Sequence, residues 1–350
     1  MSYDLGALKL TVAGESHAAA LSVILEGIKA GEEIDKLELL RFMQRRAPGK
    51  DRFSTTRTEP DVPVILSGIN NSITTGSPIA AIIENTNVKS QDYGEKLDIP
   101  RPGHADYPAW VKFGDNFNFR GGGQFSGRLT AAYCFAGAIA KQILSTKGIE
   151  VNAHILSVYG IKDETYKNGV CDVSLKPFPV IDDEAGEKMK KAIDEARERM
   201  DSVGGSVECA VTGLPAGVGD AMYDGIDGEI AKAIFAIPAV KGIEFGAGFD
   251  VCSMLGSENN DSYYYNNGEV RTRTNNHGGV LGGMTTGMPI LLNVAFKPTP
   301  SISKEQVSVS LLNNKSAELN IVGRHDPCIV QRAVPVVEAM TALAVLGRIY

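Results

Sequence analysis

Runs rich in Val and Ile recur along the chain and predict β-strands. Helical patterns fall between some of these runs but not between all of them, so strand and helix do not alternate regularly. A doubly wound parallel sheet needs that alternation, because each parallel connection carries a crossover. The order of elements therefore predicts an α+β fold with antiparallel sheets. The strand-like runs are 8–13, 22–27, 62–68, 77–84, 151–159, 206–213 and 288–296.

Helical patterns appear in four segments. In 183–200, apolar side chains such as Met189 and Ile193 repeat at three- and four-residue steps after Asp182, which can cap the first turn. Segment 33–46 places arginines at its C-terminal end, where the helix dipole favours cations. Segments 128–143 and 330–346 are rich in small and apolar residues, which predicts helices buried on most sides.

Nothing in the chain marks a domain boundary, so residues 1–350 are expected to form a single domain. The five cysteines are odd in number and form no CxxC pair, which indicates neither a disulfide framework nor a metal site. The first residues lack the pattern of a signal peptide. No segment reaches the roughly 18 uninterrupted apolar residues of a membrane-spanning helix. We therefore expect a cytoplasmic protein.

The 42 acidic and 35 basic side chains leave a formal net charge of -7. Such a surface has no general attraction for nucleic acid or for an anionic membrane, so neither is an expected partner. Basic side chains that bind an anion must therefore be clustered.

One basic cluster surrounds the Pro48-Gly49 turn. A run of charge is usually a solvated face, but this run bends at a turn and ends in the acids Glu59 and Asp61. It can therefore also be a shaped loop over a polyanionic substrate, since Arg binds carboxylate and phosphate through paired hydrogen bonds. Its cations are Arg45, Arg46, Lys50, Arg52 and Arg57.

A triple glycine lies in RGGGQFSGR at 120–128, directly before a helical pattern. Glycine lets the backbone approach a ligand closely, and amides at a helix start bind anions. The segment can equally be a flexible turn that caps the helix. Arg120 and Arg128 at its two ends favour anion binding.

Histidine is sparse, with five copies, and four of them lie in short segments dense in glycine and charge. His17 in GESHA follows a predicted strand, and His104 in RPGHADY has Asp106 two residues on. Both are candidates for proton transfer near neutral pH. Ser16 beside His17 is not favoured as a nucleophile, since neighbouring residues on an extended chain point apart and GxSxG is absent. His154 looks like a strand residue.

The C-terminal third holds further candidates. In GRHDPC, Asp326 can cap the last helix or face a ligand. His277 precedes a segment with five glycines between 278 and 287, which suits a flat cofactor packed on bare backbone. Lys297, with Thr299 and Ser301 in FKPTPS, is a candidate for the phosphate side of a ligand.

In this order, the motifs resemble the signature of the chorismate synthase family. They are GESHA, RPGHADY, RGGGQFSGRLTA, AVKGIEFGAGF, NNHGGVLGG, FKPTPS and GRHDPCIVQRAVPVVEAM, and they extend from about residue 8 to residue 345. Each motif alone is weak, but seven in the right order are specific.

This resemblance implies a lyase of the shikimate pathway of aromatic amino acid biosynthesis. The reaction would be the 1,4-anti elimination of phosphate from 5-enolpyruvylshikimate-3-phosphate, giving chorismate. It also implies reduced FMN as cofactor without net redox change, a homotetramer, and helices packed between two antiparallel β-sheets. Whether the chain reduces FMN with NADPH or depends on a separate flavin reductase stays open, and an external reductant is preferred.

The resemblance also implies roles for particular residues. His17 would protonate the departing phosphate, His104 would hold the proton balance of the reduced flavin, and Asp326 would assist removal of the substrate proton by way of the flavin N5. The implied substrate-binding residues are Arg45, Arg46, Arg52, Arg101, Arg128 and Arg324. The implied cofactor-binding residues are Gln124, Phe125, Ser126, Pro238, Ala239, Gly282, Lys297, Pro298, Thr299, Pro300, Ser301 and Arg324. His325 is expected to shape the helix start, His277 to line the cofactor, and no metal is expected.

The chain departs from the family pattern in two places. Ala18 replaces a glycine after GESH, which is tolerable if its φ is negative. Gln124 and Phe125 replace Arg and Ser after the triple glycine, which removes a cation and is expected to weaken FMN binding. The alternative functions are another flavin-dependent oxidoreductase acting on a phosphorylated polyanionic substrate and a non-catalytic anion-binding protein.

Overall fold

The computed structural model of the chain describes residues 1–49, 53, 59–86, 98–114, 120–321 and 326–350. Arg52, Arg57, Lys50, Arg324 and His325, together with the side chain of Arg120, lie outside the described part.

The N-terminal sheet has five antiparallel strands in the order β1-β2-β3-β7-β4. Its strands alternate in burial, so Leu8, Leu10 and Val12 point into the protein while their neighbours face outward. The strands are β1 (Ser2–Leu5), β2 (Leu8–Ala13), β3 (Ala20–Glu26), β4 (Pro63–Ser67) and, after the short hairpin of β5 (Ile69–Asn70) and β6 (Ile73–Thr74), β7 (Ile79–Glu84).

The C-terminal sheet is also antiparallel and has the order β11-β16-β10-β8-β9. Three hairpins extend from the same half of the chain. The strands are β8 (Glu150–Val158), β9 (Ile161–Lys162), β10 (Gly205–Thr212), β11 (Val240–Phe245), β12 (Tyr263–Asn266), β13 (Glu269–Thr272), β14 (Val280–Leu281), β15 (Met284–Thr285), β16 (Ile290–Phe296), β17 (Gln306–Ser310) and β18 (Lys315–Leu319).

The described part of the chain has seven α-helices. They are α1 (Lys36–Arg46), α2 (Asp106–Phe113), α3 (Thr130–Ser145), α4 (Asp183–Glu198), α5 (Ile226–Phe235), α6 (Gly256–Asn259) and α7 (Val330–Ile349). The central pair, α3 and α7, pack against each other, and each contacts strands of both sheets. Helices therefore lie between two antiparallel sheets, which confirms the predicted architecture.

The central helix pair crosses at a glycine. A Cβ built on Gly137 of α3 would lie 2.2 Å from the Cβ of Ala339 on α7, so only glycine permits this approach. The last helix is almost wholly buried because it lies between the sheets. It is long and apolar enough to cross a membrane, but 89% of its most apolar window is buried, so it is a core helix.

The predicted elements agree closely with these bounds. Each predicted strand and helix is present, and Asp182 caps α4 by accepting from the amides of Glu184 and Ala185. Sequence analysis missed α2, α5, α6, β1, β9, β11 and the hairpins. The hairpin of β12 and β13 did carry a signal: its two-residue turn is Asn267-Gly268, both with positive φ, a typical hairpin turn.

Candidate active site

A cavity of about 590 Å³ opens where several segments of the chain meet. This volume lies in the usual range of ligand sites. The segments include the turn after β2, the end of α1 with Pro48, Glu59, residues 101–105, the glycine loop 121–127 with the residues that follow it, residues 235–240, residues 296–301 and the residues around the start of α7.

The glycine loop runs between two histidines. Gly121, Gly122 and Gly123 have φ values of 64°, 94° and 53°, which L side chains rarely adopt. A Cβ on Gly121 would lie 3.0 Å from His17 Nε2, and a Cβ on Gly122 would lie 3.0 Å from His104 Nε2. The bare backbone therefore separates the two imidazoles and lets both approach it. The amide of Ser16 fixes the loop by donating to the carbonyl of Gly123 at 3.1 Å.

The imidazole of His104 is held by the carboxylate of Asp106. Asp106 Oδ1 lies 2.6 Å from His104 Nδ1. Its two oxygens also accept from Arg101 Nη2 at 2.8 Å and Nε at 2.7 Å. Burial alone would raise the pKa of Asp106, but hydrogen bonds from Arg101 and His104 outweigh it and hold the pKa below its usual value. Because an ionised carboxylate only accepts, Nδ1 carries the proton and Nε2 is left for chemistry.

Two arginines share a buried acid at the cavity wall. Arg46 Nη1 donates to Asp61 Oδ2 at 2.6 Å, and Arg128 Nη1 donates to Asp61 Oδ1. Burial alone would raise the pKa of Asp61, but the two guanidinium groups outweigh burial and lower the pKa below its usual value, so the carboxylate is ionised. Arg128 Nε also donates to Asn85 Oδ1 at 2.7 Å and lies 3.2 Å from Glu59. The acids fix both cations beside the cavity.

Asp326 does not cap the last helix. The N-cap of α7 is Ile329, and no side chain of the described residues caps it. Asp326 lines the cavity instead, and its Oδ2 accepts from Arg332 Nη1 at 2.7 Å.

Most of the residues expected to bind FMN line this cavity. Thr299 Oγ1 is buried and has no hydrogen-bond partner among the described residues, which indicates a place for a polar ligand atom. Lys297 Nζ donates to the carbonyl of Gly103 at 2.5 Å. The pKa of Lys297 is lowered, mainly because the side chain is partly buried and also because the positive charge of Lys241 is near. The lining members are Gln124, Phe125, Ser126, Pro238, Ala239, Lys297, Thr299, Pro300 and Ser301.

Some expected site residues are not among the described lining of the cavity. His17 is one of them, although its Nε2 lies close to the glycine loop that lines the cavity. Arg45 turns into the core, where it forms two hydrogen bonds to Glu338, at 2.8 and 2.7 Å, beside Lys141. These cations outweigh burial and lower the pKa of Glu338 to about 2. Pro298 is exposed next to the cavity, and Gly282 lies in the turn of the β14–β15 hairpin. Arg52 and Arg324 lie outside the described residues.

His154 and His277 are not among the described lining of the cavity. His277 Nδ1 accepts a hydrogen bond from the backbone amide of Gly279 at 2.8 Å. The carboxylate of Asp261 accepts hydrogen bonds from the backbone amides of Asn276 and His277. His154 lies in β8, as predicted, between Asp163 and Glu208. Both hold the fold together at these positions.

Sequence analysis gave no site role to Asp61, Asn85 or Arg332. Asp61 was noted only as the acid that ends a basic run, although an acid next to clustered arginines is also the partner that fixes them. Arg332 lies inside the quoted motif GRHDPCIVQRAVPVVEAM. Ala18 has a negative φ, as its tolerance required.

Comparison with known proteins covers the whole chain. A family model described as chorismate synthase matches residues 8–349. A chorismate synthase from Korarchaeum cryptofilum is 45% identical over 344 residues, which cover 98% of this chain and 95% of that protein. One from Pyrococcus abyssi is 48% identical over 335 residues, which cover 96% and 94%. A solved structure described as a crystal structure of chorismate synthase has a TM-score of 0.76 and 30% identity, over 99% of this chain and 92% of that one.

Proposed function

The chain belongs to the chorismate synthase family of carbon–oxygen lyases, and from this premise we propose that it converts 5-enolpyruvylshikimate-3-phosphate into chorismate. The observation that supports this most directly is the pair of histidines that approach the glycine loop, of which His104 lines the cavity together with Arg46, Arg101 and Arg128. The reaction breaks the C–O bond to phosphate and removes a ring proton, so the site must bind anions and move protons.

The arginines bind the substrate in this proposal. The substrate carries a phosphate and two carboxylates, and guanidinium groups bind both through paired hydrogen bonds. Arg46 and Arg128 are fixed by Asp61, and Arg101 is fixed by Asp106, so little side-chain freedom is lost on binding. Arg52 and Arg324 complete this set in the proposal.

The two histidines and Asp326 move the protons. His17 donates a proton to the departing phosphate, since a protonated phosphate is the better leaving group. Asp106 orients the His104 ring by binding its Nδ1, so that Nε2 is turned away from the Asp106 carboxylate. Nε2 of His104 therefore takes up or returns a proton at the cavity. Asp326 supplies a carboxylate at the cavity for the ring proton that the elimination releases.

Reduced FMN fits this cavity. Thr299 offers an unsatisfied hydroxyl, and Lys297 and Ser301 supply further polar contacts beside it. Gln124, Phe125, Ser126, Pro238 and Ala239 would hold the ring. When bound, reduced FMN supplies an electron-rich ring that eases the loss of phosphate and is unchanged at the end of the cycle.

The remaining parts of the proposal concern supply and assembly. The chain takes reduced flavin from a separate flavin reductase rather than reducing its own FMN with NADPH, and it acts as a cytoplasmic homotetramer. Sedimentation of the purified chain tests the assembly, since a monomer would contradict it.

The decisive experiment is phosphate release from the substrate with chemically reduced FMN, without oxygen, with and without NADPH. We expect phosphate and chorismate to appear together over many turnovers while the flavin stays reduced. Flavin oxidation in step with product would indicate an oxidoreductase, and binding without release would indicate an anion-binding protein. His17→Ala and His104→Ala should each slow release by at least about 10²-fold, the usual contribution of one acid or base.

A further inference from the structure

Arg332 connects two elements of the site through separate nitrogen atoms. Its Nη1 donates to Asp326 Oδ2 at 2.7 Å, and its Nε donates to the backbone carbonyl of Arg46 at 3.1 Å. Both side chains of the ion pair are largely buried, with exposed fractions of 16% and 15%. Arg332 and Asp326 both line the cavity.

Arg332 is well placed to orient Asp326. Its carboxylate does not cap α7, so the helix start does not hold it. Arg332, in contrast, lies in the first turn of a helix that is buried between the two sheets. A side chain anchored on a rigid helix sets the position of its partner more closely than a loop can.

The second hydrogen bond fixes the guanidinium group itself. Arg46 is the last residue of α1, where backbone carbonyls lack a partner within the helix. Arg332 satisfies this carbonyl by donating to it. The same hydrogen bond orients the plane of the Arg332 guanidinium group from a second direction. Arg46 in turn contributes its side chain to the anion-binding wall. One guanidinium group thus fixes the distance between Asp326 and Arg46.

We propose that Arg332 is a positioning residue that holds the Asp326 carboxylate in place for proton removal. This inference rests on the proposed function, in which Asp326 receives the ring proton. Lysine cannot replace it fully, because a single ammonium group lacks the planar fork that reaches two acceptors in fixed directions.

The test is a double-mutant cycle with Arg332→Gln and Asp326→Asn, read as kcat and KM for phosphate release. Displacing a catalytic group by about 1 Å costs about 10²-fold in rate, so we expect Arg332→Gln to lower kcat by about that factor with KM little changed. In the Asp326→Asn background the same substitution should have almost no further effect. Arg332→Lys should recover only part of the lost kcat.

Arg348→Gln is the matched control, because Arg348 lies at the other end of α7 and pairs with Asp224 and Glu229 outside the described lining. It should leave kcat unchanged. Independent losses in the double mutant, or a rise in KM alone, would show that Arg332 binds substrate directly and would overturn the proposal. If the wild type forms no chorismate, the proposed function fails. A crystal structure of Arg332→Gln then decides the positioning role, since an unmoved Asp326 carboxylate would refute it.

Discussion

Gly122 shows how closely the site depends on a missing side chain. Its φ is 94°, and a Cβ there would lie 3.0 Å from both Cε1 and Nε2 of His104. Gly122→Ala should therefore displace the imidazole and lower kcat by about 10²-fold, in addition to a backbone cost of about 1–2 kcal/mol. Steady-state assays and urea unfolding measure the two effects.

Gly160 provides the matched control for this substitution. Its φ is 81°, but nothing lies within 4 Å of a Cβ built on it. Gly160→Ala should thus show the backbone cost and leave kcat unchanged. Equal activity of the two variants would mean that the imidazole does not need the space above Gly122.

Asp61 joins two cations that would otherwise repel each other. Asp61→Asn leaves Arg46 and Arg128 buried without their shared charge, so it should cost about 3–5 kcal/mol in unfolding free energy. Inorganic phosphate should raise the Tm of this variant more than that of the wild type, because an anion replaces the carboxylate. The exposed pair of Lys304 and Asp201 is the control, since Asp201→Asn should cost less than about 1 kcal/mol. An equal effect of phosphate on both proteins would contradict this account of the cluster.

At the residue scale, the sequence predicted some site residues and missed others. Motif order pointed to His17, His104 and the glycine loop, because each motif carries its chemistry in adjacent residues. It could not find Asp61 or Arg332, because each joins a nearby residue to a distant one. Asp61 joins Arg46 to Arg128, 67 positions away, and Arg332 joins Asp326 to the carbonyl of Arg46, 286 positions away. It also assigned Arg45 to the substrate, whereas Glu338, 293 positions away, holds it in the core.

At the scale of elements, replacing glycine by alanine should have opposite effects on stability at two helical positions. Gly137→Ala places a methyl 2.2 Å from the Cβ of Ala339, and overpacking of this kind costs about 1–3 kcal/mol. Gly228 lies exposed in α5, with nothing within 4 Å of its Cβ position. Gly228→Ala should therefore stabilise the protein by up to about 1 kcal/mol, the difference in helix propensity. Urea unfolding of both variants decides the matter, and a loss of stability in both would refute the contrast.

The elements were predictable where burial imposes a period. Inward-facing apolar residues every second position marked β2, and a three- and four-residue spacing marked α4. The strands of the β12–β13 hairpin lack that pattern because every residue of β12 is exposed. The sheet order was not predictable either, since β7 pairs with β3 across a long separation in sequence.

At the scale of the whole molecule, two buried histidines should give opposite dependences of stability on pH. His154 lies between Asp163 and Glu208, at 2.9 and 2.8 Å. Burial lowers its pKa, but hydrogen bonds to the two carboxylates outweigh burial and raise it. His277 is buried beside Asp261, and burial dominates there, so its pKa is lowered. The first histidine folds in its charged form and the second in its neutral form.

The sign of each effect follows from proton linkage. The stabilisation from His154 is complete below the unfolded pKa of about 6.5 and is lost as the pH rises through its higher native value. The stabilisation from His277 is present above about 6.5 and is lost as the pH falls through its lower native value. Unfolding free energies measured by urea from about pH 5 to 9 should therefore decrease toward both the acid and the alkaline end of this range. His154→Gln should flatten the alkaline side and His277→Asn the acid side, because each removes one titrating group. If His154→Gln kept the alkaline slope, another group would have to bind the proton that the folded protein releases there.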